Sequence, residues 1–463
     1  MASTGTTDPL QKHELPSPFA HERPAEGQPS LKSCLWEVLK HHSQGLGVED
    51  VIAHMKKEKQ FNFSHSVNVT GEVEDALQSD PYFYQIEDSG KWSLAIFRPL
   101  KWGFAGTAQI AEDFIEALRL LPGPELTAVA ARAKVEKAQE FAKAHGVKRA
   151  YGSYEELAND PEVDIVYISP IHTTHREITE LMLAAGKHVL CEKPLAVNAS
   201  DTKAMYAAAK KHDRFFIPGL WSRFFPAQQK LKELIMSGAV GEVLYLHGEM
   251  FIQMGEEITR LYKPEMGGGA LLDIGIYMLA LASWVYGSAR PDHVDIAIHK
   301  HPSGVDVSGI INLKYGEKGL ASLTYSMAVD GPIEGTIRGT KGTIVLHHRA
   351  HCPHSLTFAP TGGEPQTFHF DPPRKPESIN HGDEEGGWNF GGSIGFVYEA
   401  MGVHSAVVNN ARGVRDVPEE EMVALMELTD RLRAQMGVSY PQDGYMQKLT
   451  QAAVGAAQAT SIA

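Results

Sequence analysis

Apolar side chains follow two rhythms along this chain. From Leu31 to Asp80 they recur at helical spacing: "LKSCLWEVLKHH" sets Leu31, Leu35, Val38 and Leu39 near one face, "VEDVIAHMKKE" repeats the pattern after the Gly45-Leu-Gly47 break, and "VTGEVEDALQSD" offers a third helix. "YFYQIEDSGKWSLAIF" alternates on both sides of Asp88-Ser-Gly90, as a hairpin does. After Pro99 the apolar runs "KWGFAG", "ELTAVAAR", "VDIVYISP", "HVLCEKP" and "RFFIPGLW" are separated by amphipathic stretches such as "QIAEDFIEALRLL" and "THREITELMLAAG". Strands divided by helices of that length imply a parallel sheet covered on both faces, so a doubly wound α/β domain is expected over residues 99–220. Beyond Trp221 come a helix, "PAQQKLKELIMSG", a strand, "GEVLYLHGEMF", and a glycine run entering the apolar helix "GGGALLDIGIYMLALASWVYG". Five further strands, from "DHVDIAIHK" to "GTIVLHH", complete an α+β domain over 221–443 with a large, open, mostly antiparallel sheet. Residues 1–29, rich in Pro, Ser, Thr and Gly, are expected to be a disordered leader, and 444–463 a flexible tail.

Three helices and a hairpin over residues 30–98 resemble a winged helix. Acidic side chains outnumber basic ones there, so contact with a protein is expected rather than with DNA. The whole chain carries 57 Asp plus Glu against 43 Lys plus Arg, a formal charge of -14 that repels phosphate backbones and anionic membranes. Cys34, Cys191 and Cys352 form no pair with the spacing of a disulfide framework or a sulfur-ligated zinc. No apolar run approaches the roughly 18 residues of a membrane span. The first 30 residues lack the features of a secretory signal, and Asp8, Glu14, Glu22 and Glu26 count against a transit peptide, so a cytoplasmic location is expected.

Candidate chemistry lies at the strand ends. Gly103-Phe-Ala-Gly106-Thr-Ala-Gln-Ile110 joins the first strand of the α/β region to a helix, where glycines let backbone N–H groups approach a pyrophosphate; Ala108 stands where glycine is usual at one phosphate-facing position. The second strand ends Ala130-Ala131-Arg132 without the carboxylate that holds the ribose of NAD, and Arg132 is placed to meet a 2′-phosphate, which favours NADP. "HVLCEKPLAVN" fixes the Lys193 ammonium at the end of a core strand. Asp273 and Tyr277, four residues apart, share a face if "ALLDIGIYMLALA" is helical, either as a pair pointing into one cleft or as a capping aspartate and a core tyrosine. An ammonium beside a phenol lowers the phenol pKa, which suits Tyr277 as a base with Lys193 assisting. The segment "HHRAHCPH", His347 to His354, concentrates metal-ligating types, but its spacing fits no usual zinc module and no metal is expected.

"EKP" after the fifth strand and "GGGALLDIGIY" about 75 residues later, together with "AYGSYEEL", "AAGKHVLCEKPLAVNA", "WSRFFPA", "GTKG" and "VSYPQD", resemble the Gfo/Idh/MocA oxidoreductase family. Within it they are most similar to the branch of dimeric dihydrodiol dehydrogenases and NADP-linked D-xylose dehydrogenases. The resemblance runs from about Lys101 to Asp443. It implies hydride transfer between a sugar or cyclic diol carbinol and a nicotinamide, with Lys193 and Tyr277 catalytic and Asp273 orienting substrate. It implies cofactor contacts from Gly103, Gly106, Thr107, Ala108, Gln109, Ile110 and Arg132, with Ser169, Pro170, His172 and His175 on the nicotinamide-side loop. Glu192, Lys193 and Arg223 are expected at the cofactor, and Trp221 and Arg260 at the substrate; both arginines could equally be ion-pair partners. A homodimer through the open sheet is expected. The rival reading is a cofactor-sensing regulator without turnover that uses its N-terminal domain to bind a partner.

Overall fold

The computed structural model describes residues 15–19, 21, 30–57, 61, 63, 68–87, 89–132, 134–372 and 388–443. Helix α1 (Leu31–Leu39) starts where the Ser30 side chain accepts the Ser33 N–H, a cap that satisfies one of the free first-turn donors. Strand β1 (Leu46–Gly47), helices α2 (Val48–Lys57) and α3 (Val69–Ser79), and strands β2 (Phe83–Ile86) and β3 (Lys91–Leu94) follow. The three strands form a sheet in the order β1-β3-β2, the topology of a winged helix. Its outward α3 face presents Glu72, Glu74 and Asp75.

The leader differs in part from its expected disorder. Leu15 and Phe19 are buried, and the Phe19 ring stacks on Phe83 at 5.8 Å and meets Trp36 and Tyr82 edge-on. One aromatic side chain inserted into an aromatic cluster, at about 0.5–1.5 kcal/mol per ring pair beyond its burial, anchors a segment whose composition is otherwise that of a linker. The remainder of the leader and the tail from residue 444 lie outside the described residues.

The central sheet holds β4 (Leu100–Ala105), β5 (Pro124–Ala130), β6 (Arg149–Tyr151), β7 (Ile165–Ile168), β8 (His188–Glu192) and β9 (Phe216–Gly219). All pairs are parallel and the order is β6-β5-β4-β7-β8-β9, the doubly wound Rossmann arrangement with its switch point between β4 and β7. Helices α4 (Gln109–Leu118), α5 (Val135–Ala144), α6 (Tyr154–Ala158), α7 (His175–Ala184) and α8 (Ala199–His212) connect them. Every residue of β7 is buried, as a strand covered on both faces requires. The sequence pattern misses β6 and α6, which at three and five residues are too short to show a period.

After α9 (Pro226–Met236) comes an eight-stranded sheet of β10 (Val243–Phe251), β11 (His293–Lys300), β12 (Asp306–Tyr315), β13 (Gly319–Ser326), β14 (Ile333–Gly339), β15 (Gly342–Leu346), β16 (Ser355–Pro360) and β17 (Gln366–His369). It is antiparallel except for the β10–β13 pair. Helix α10 (Ile276–Tyr286) packs on one face; the other exposes Ile310 and Leu320. Unexpected from the sequence, α11 (Phe396–Val408) and α12 (Glu419–Met436) return to the parallel sheet. The N-terminal domain docks on α11, where Arg98 Nη1 donates to the Val408 carbonyl at 3.0 Å and Asn409 Nδ2 to that of Pro81 at 2.8 Å. Among the described residues the helical stretch Pro264–Tyr286 is long and apolar enough to cross a membrane, contrary to the expectation that no run would qualify; most of it is buried against the sheet as a core helix.

Candidate active site

The C-terminal ends of β4, β5, β7 and β8 open onto one cleft. Gly106 ends β4 with φ +99°, and a Cβ there would lie 2.8 Å from Ser169 Oγ and 3.0 Å from Pro170 Cγ, so only glycine leaves the crevice open. Thr107, Ala108, Gln109 and Ile110 carry the chain into α4, whose Ala108 cap offers no side-chain acceptor to the first N–H groups. A helix start of that kind, at the switch point and behind a glycine, fits a dinucleotide pyrophosphate. Gly103 departs from its expected role. It lies within β4, and a Cβ would meet Val163 at 2.8 Å and Leu157 at 3.1 Å, so it admits the α6 region against the strand and does not face the crevice. Arg132 follows β5, exposed, with its guanidinium 3.2 Å from Glu177.

The β8 end delivers Lys193, followed by a cis peptide to Pro194. Its Nζ donates to the Asp273 carbonyl at 2.9 Å and lies 4.8 Å from the centre of the Tyr277 ring. Residues Leu271–Gly275 form a π-helical turn that runs into α10, a wide turn of the kind often found at functional sites. From it the Asp273 carboxylate receives Arg260 Nη1 at 2.7 Å. Burial pushes the Asp273 carboxyl up, but Lys193 and Arg260 outweigh it and hold the group below the usual aspartate range. Tyr277 is 8% exposed and its Oη accepts the Trp221 indole N–H at 3.0 Å. The structure reverses one expectation here: burial, and after it the charge of Glu192, push the Tyr277 phenol well above its ordinary value. The ammonium sits over the ring face and bonds a backbone carbonyl, so it does not stabilise a phenolate oxygen directly.

The loop after β7 is braced by histidines. His175 Nε2 lies 2.7 Å from the Pro170 carbonyl and Nδ1 lies 3.1 Å from those of Pro194 and Leu195, tying the Ser169-Pro170 loop to the lysine loop. Ser169 Oγ donates to the Ala105 carbonyl at 3.2 Å, and His172 Nε2 bonds the Gly267 carbonyl at 3.0 Å, joining the parallel domain to the glycine run. Burial pushes His172 down to about 3, so it remains neutral at physiological pH. Glu192 accepts the Tyr167 hydroxyl at 2.6 Å and the Lys193 N–H at 3.0 Å, and burial raises its carboxyl.

Two models of known families match the chain: an oxidoreductase family with an NAD-binding Rossmann fold over residues 100–220, and the GFO/IDH/MocA C-terminal domain over residues 228–345. A trans-1,2-dihydrobenzene-1,2-diol dehydrogenase of Danio rerio is 37% identical over 346 residues, 74% of this chain and 99% of its own length. The protein of that name in Homo sapiens is 34% identical over 345 residues, again 74% and 99%. The chain belongs to the Gfo/Idh/MocA oxidoreductase family. It is an enzyme of the NAD(P)-dependent oxidoreductase class, which leaves the regulator reading without support. Among solved Gfo/Idh/MocA folds, a levoglucosan dehydrogenase with NADH and L-sorbose has a TM-score of 0.64 at 21% identity, covering 74% of this chain and 98% of its own. KijD10, a 3-ketoreductase from Actinomadura kijaniata in complex with NADP and TDP-benzene, has a TM-score of 0.60 at 23% identity, covering 73% and 98%. At those identities the likeness is one of fold.

Within this Gfo/Idh/MocA frame, Lys193, Asp273, Tyr277, Trp221 and Arg260 come together. Arg223 does not join them as a cofactor ligand. Its guanidinium is buried in an ion pair with Glu421 of α12 at 2.7 Å, bonds Ser283 Oγ at 3.2 Å and covers the Trp284 ring, because a charge taken out of water needs a fixed partner. The sequence also gave no sign that α11 would build the pocket: Phe396 stacks on Trp221 at 4.5 Å. His351 is a second omission, with its ring 5.1 Å from that of Tyr277. Its signal was present in the histidine-rich segment, where ligand spacing drew attention to metals and away from a single ring delivered by a turn.

Proposed function

We propose that the protein is an NADP-dependent dehydrogenase that oxidises a sugar or cyclic diol carbinol, D-xylose and trans-dihydrobenzenediol being the leading substrates. The observation that carries this reading is the convergence of Lys193, Asp273 and Tyr277 at the sheet edge where Gly106 and the α4 N-terminus fit a dinucleotide. The names of the curated relatives support the diol. Arg132, at the β5 end with no carboxylate beside it in the chain, supports a 2′-phosphate.

The bound cofactor supplies the hydride acceptor. Lys193 and the Trp221–Phe396 wall fix the substrate hydroxyl, the ionised Asp273 accepts from a second hydroxyl, and Tyr277 exchanges the proton of the reacting oxygen. Because its phenol is raised, Tyr277 is a proton donor at neutral pH, which suits carbonyl reduction. Oxidation needs the rarer deprotonated form, so its rate rises with pH while reduction is insensitive to pH through the neutral range. The test is to mix the protein with NADP and a panel of pentoses, hexoses and cyclic diols and follow reduced-nicotinamide absorbance across pH. Turnover of at least one pentose or diol, faster in alkali, is expected; cofactor binding without turnover of any of them refutes the assignment.

The open sheet face is proposed as a homodimer contact, to be checked by sizing in solution. The winged-helix-like domain, with its acidic α3 face, is proposed to contact a protein and not DNA. A cytoplasmic location remains part of this reading.

A further inference from the structure

The histidine-rich segment is fixed by a turn. Arg349 holds φ +68°, the Cys352 N–H donates to the Arg349 carbonyl at 2.7 Å, the Ala350 N–H to that of Ile333 at 2.9 Å, and Gln228 Nε2 to that of Ala350 at 2.7 Å. This geometry turns His351 toward Tyr277 and leaves Cys352 Sγ 3.5 Å from His351 Nε2. With Nε2–H directed at the sulfur, Nδ1 carries the free lone pair. That Nδ1 is sealed from solvent with no protein partner among the described residues, and His351 as a residue is half-buried. Arg223 Nε is a second buried polar atom without a partner among the described residues, in this case a donor. The Tyr277 hydroxyl accepts from Trp221, and among the described residues nothing accepts the proton it carries.

These groups surround one space. A cavity of about 10 Å³ is lined by Tyr277, His351, Arg223, Gln228, Ser222 and Trp284, among others, and that is close to the room one water molecule occupies. Buried polar atoms without partners around a water-sized polar cavity are the pattern that an ordered water resolves. We infer that a water in this cavity links Tyr277 to His351 Nδ1, so that His351 is a positioning residue that receives the phenol proton and returns it. The inference rests on the proposed dehydrogenase reading. In oxidation the carbinol C–H bond breaks and its electron pair goes to the nicotinamide, while the substrate hydroxyl proton passes to Tyr277 Oη. Tyr277 can take that proton because its own has already moved to the water and a proton of the water to His351 Nδ1, which supplies the deprotonated phenol that oxidation needs. The resulting imidazolium then gives up one proton, which returns His351 to its neutral form. Burial and the Lys193 charge push His351 down to about 3, so it is neutral between turnovers with Nδ1 open to accept.

Two measurements test the link. A high-resolution crystal structure of the full chain with NADP is expected to show a water within hydrogen-bond distance of both His351 Nδ1 and Tyr277 Oη; a cavity without that water overturns the inference. His351→Phe is expected to lower kcat by about 10- to 100-fold, within the range of lost acid–base assistance, and to change the solvent deuterium isotope effect. NADP affinity should stay within about twofold, and His351→Asn, whose amide oxygen can accept a hydrogen bond from the water but cannot take up a proton, should stay about as slow as His351→Phe. A kcat for His351→Phe within about twofold of wild type, or recovery of kcat by His351→Asn, contradicts the role. If the wild type turns over no sugar or diol, the dehydrogenase assignment falls, and the crystallographic water alone then decides the link.

Discussion

Two buried carboxyl environments lie near the Lys193 loop, and they differ in charge. In the cleft, Asp273 is ringed by Lys193, Arg260 and His172, and it stays ionised despite its burial. Behind the loop, between the parallel sheet and α11, Glu399 is fully buried, neither of its oxygens has a partner among the described residues, and burial with the charge of Glu192 pushes it well above the glutamate range. The difference teaches that burial alone does not decide charge in this molecule; the nearest cation does. Positive side chains are spent where a polyhydroxylated substrate would need a fixed acceptor, and the interior acid is left neutral.

The comparison breaks most completely if the cation of the cleft is removed. Lys193→Met is expected to cut kcat by about 10³-fold while NADP binding, measured by titration, changes little. Asp273→Asn should lower kcat/KM by about 10²-fold, because the acceptor for a substrate hydroxyl is lost and Arg260 is released. Its folded pKa is depressed, so the stability Asp273 contributes is present above about pH 4 and is lost as pH falls through the lower folded value; the melting-temperature gap to wild type should close in acid. Arg132→Ala tests the rim, with NADP KM expected to rise about tenfold and NAD KM nearly unchanged. The smallest effect concerns the neutral acid. The folded pKa of Glu399 is raised, so the unfolded chain loses this proton first as pH rises, and wild-type stability declines from about pH 4.5 upward. Glu399→Gln removes that decline, and thermal denaturation should show it equal to wild type near pH 4 and higher by roughly a few degrees at pH 8.

Much of this was legible in the sequence, for reasons that can be named. Strand-end residues are fixed by local pattern, so Gly106, Arg132 and Lys193 could be placed at strand ends from the alternation of apolar runs and helices, while Ser169 was placed through the family resemblance. Asp273 and Tyr277 share a face by a four-residue spacing that survives the π-helical turn, but their assignment to the site rested on the resemblance carried by the EKP motif. Arg223 misled because its sequence context is that of a pocket residue, whereas its partner, Glu421, lies about 200 positions later on a helix that the pattern reading did not include. Glu399 and His351 were hidden for a related reason. Their chemistry depends on which distant groups pack against them, and no local spacing records that α11 and the β15–β16 connection close over the same ring.

The central claim is that a hydride leaves a carbinol carbon in this cleft for the nicotinamide, and isotope transfer tests it most directly. D-xylose deuterated at C1, or the dihydrodiol deuterated at its carbinol carbons, would be incubated with the wild-type protein and NADP, and the reduced cofactor read by NMR. Direct transfer predicts one deuterium at nicotinamide C4 for each carbinol oxidised, on a single face of the ring. Reduced cofactor without deuterium, or no reduction of NADP with either substrate, would contradict the account.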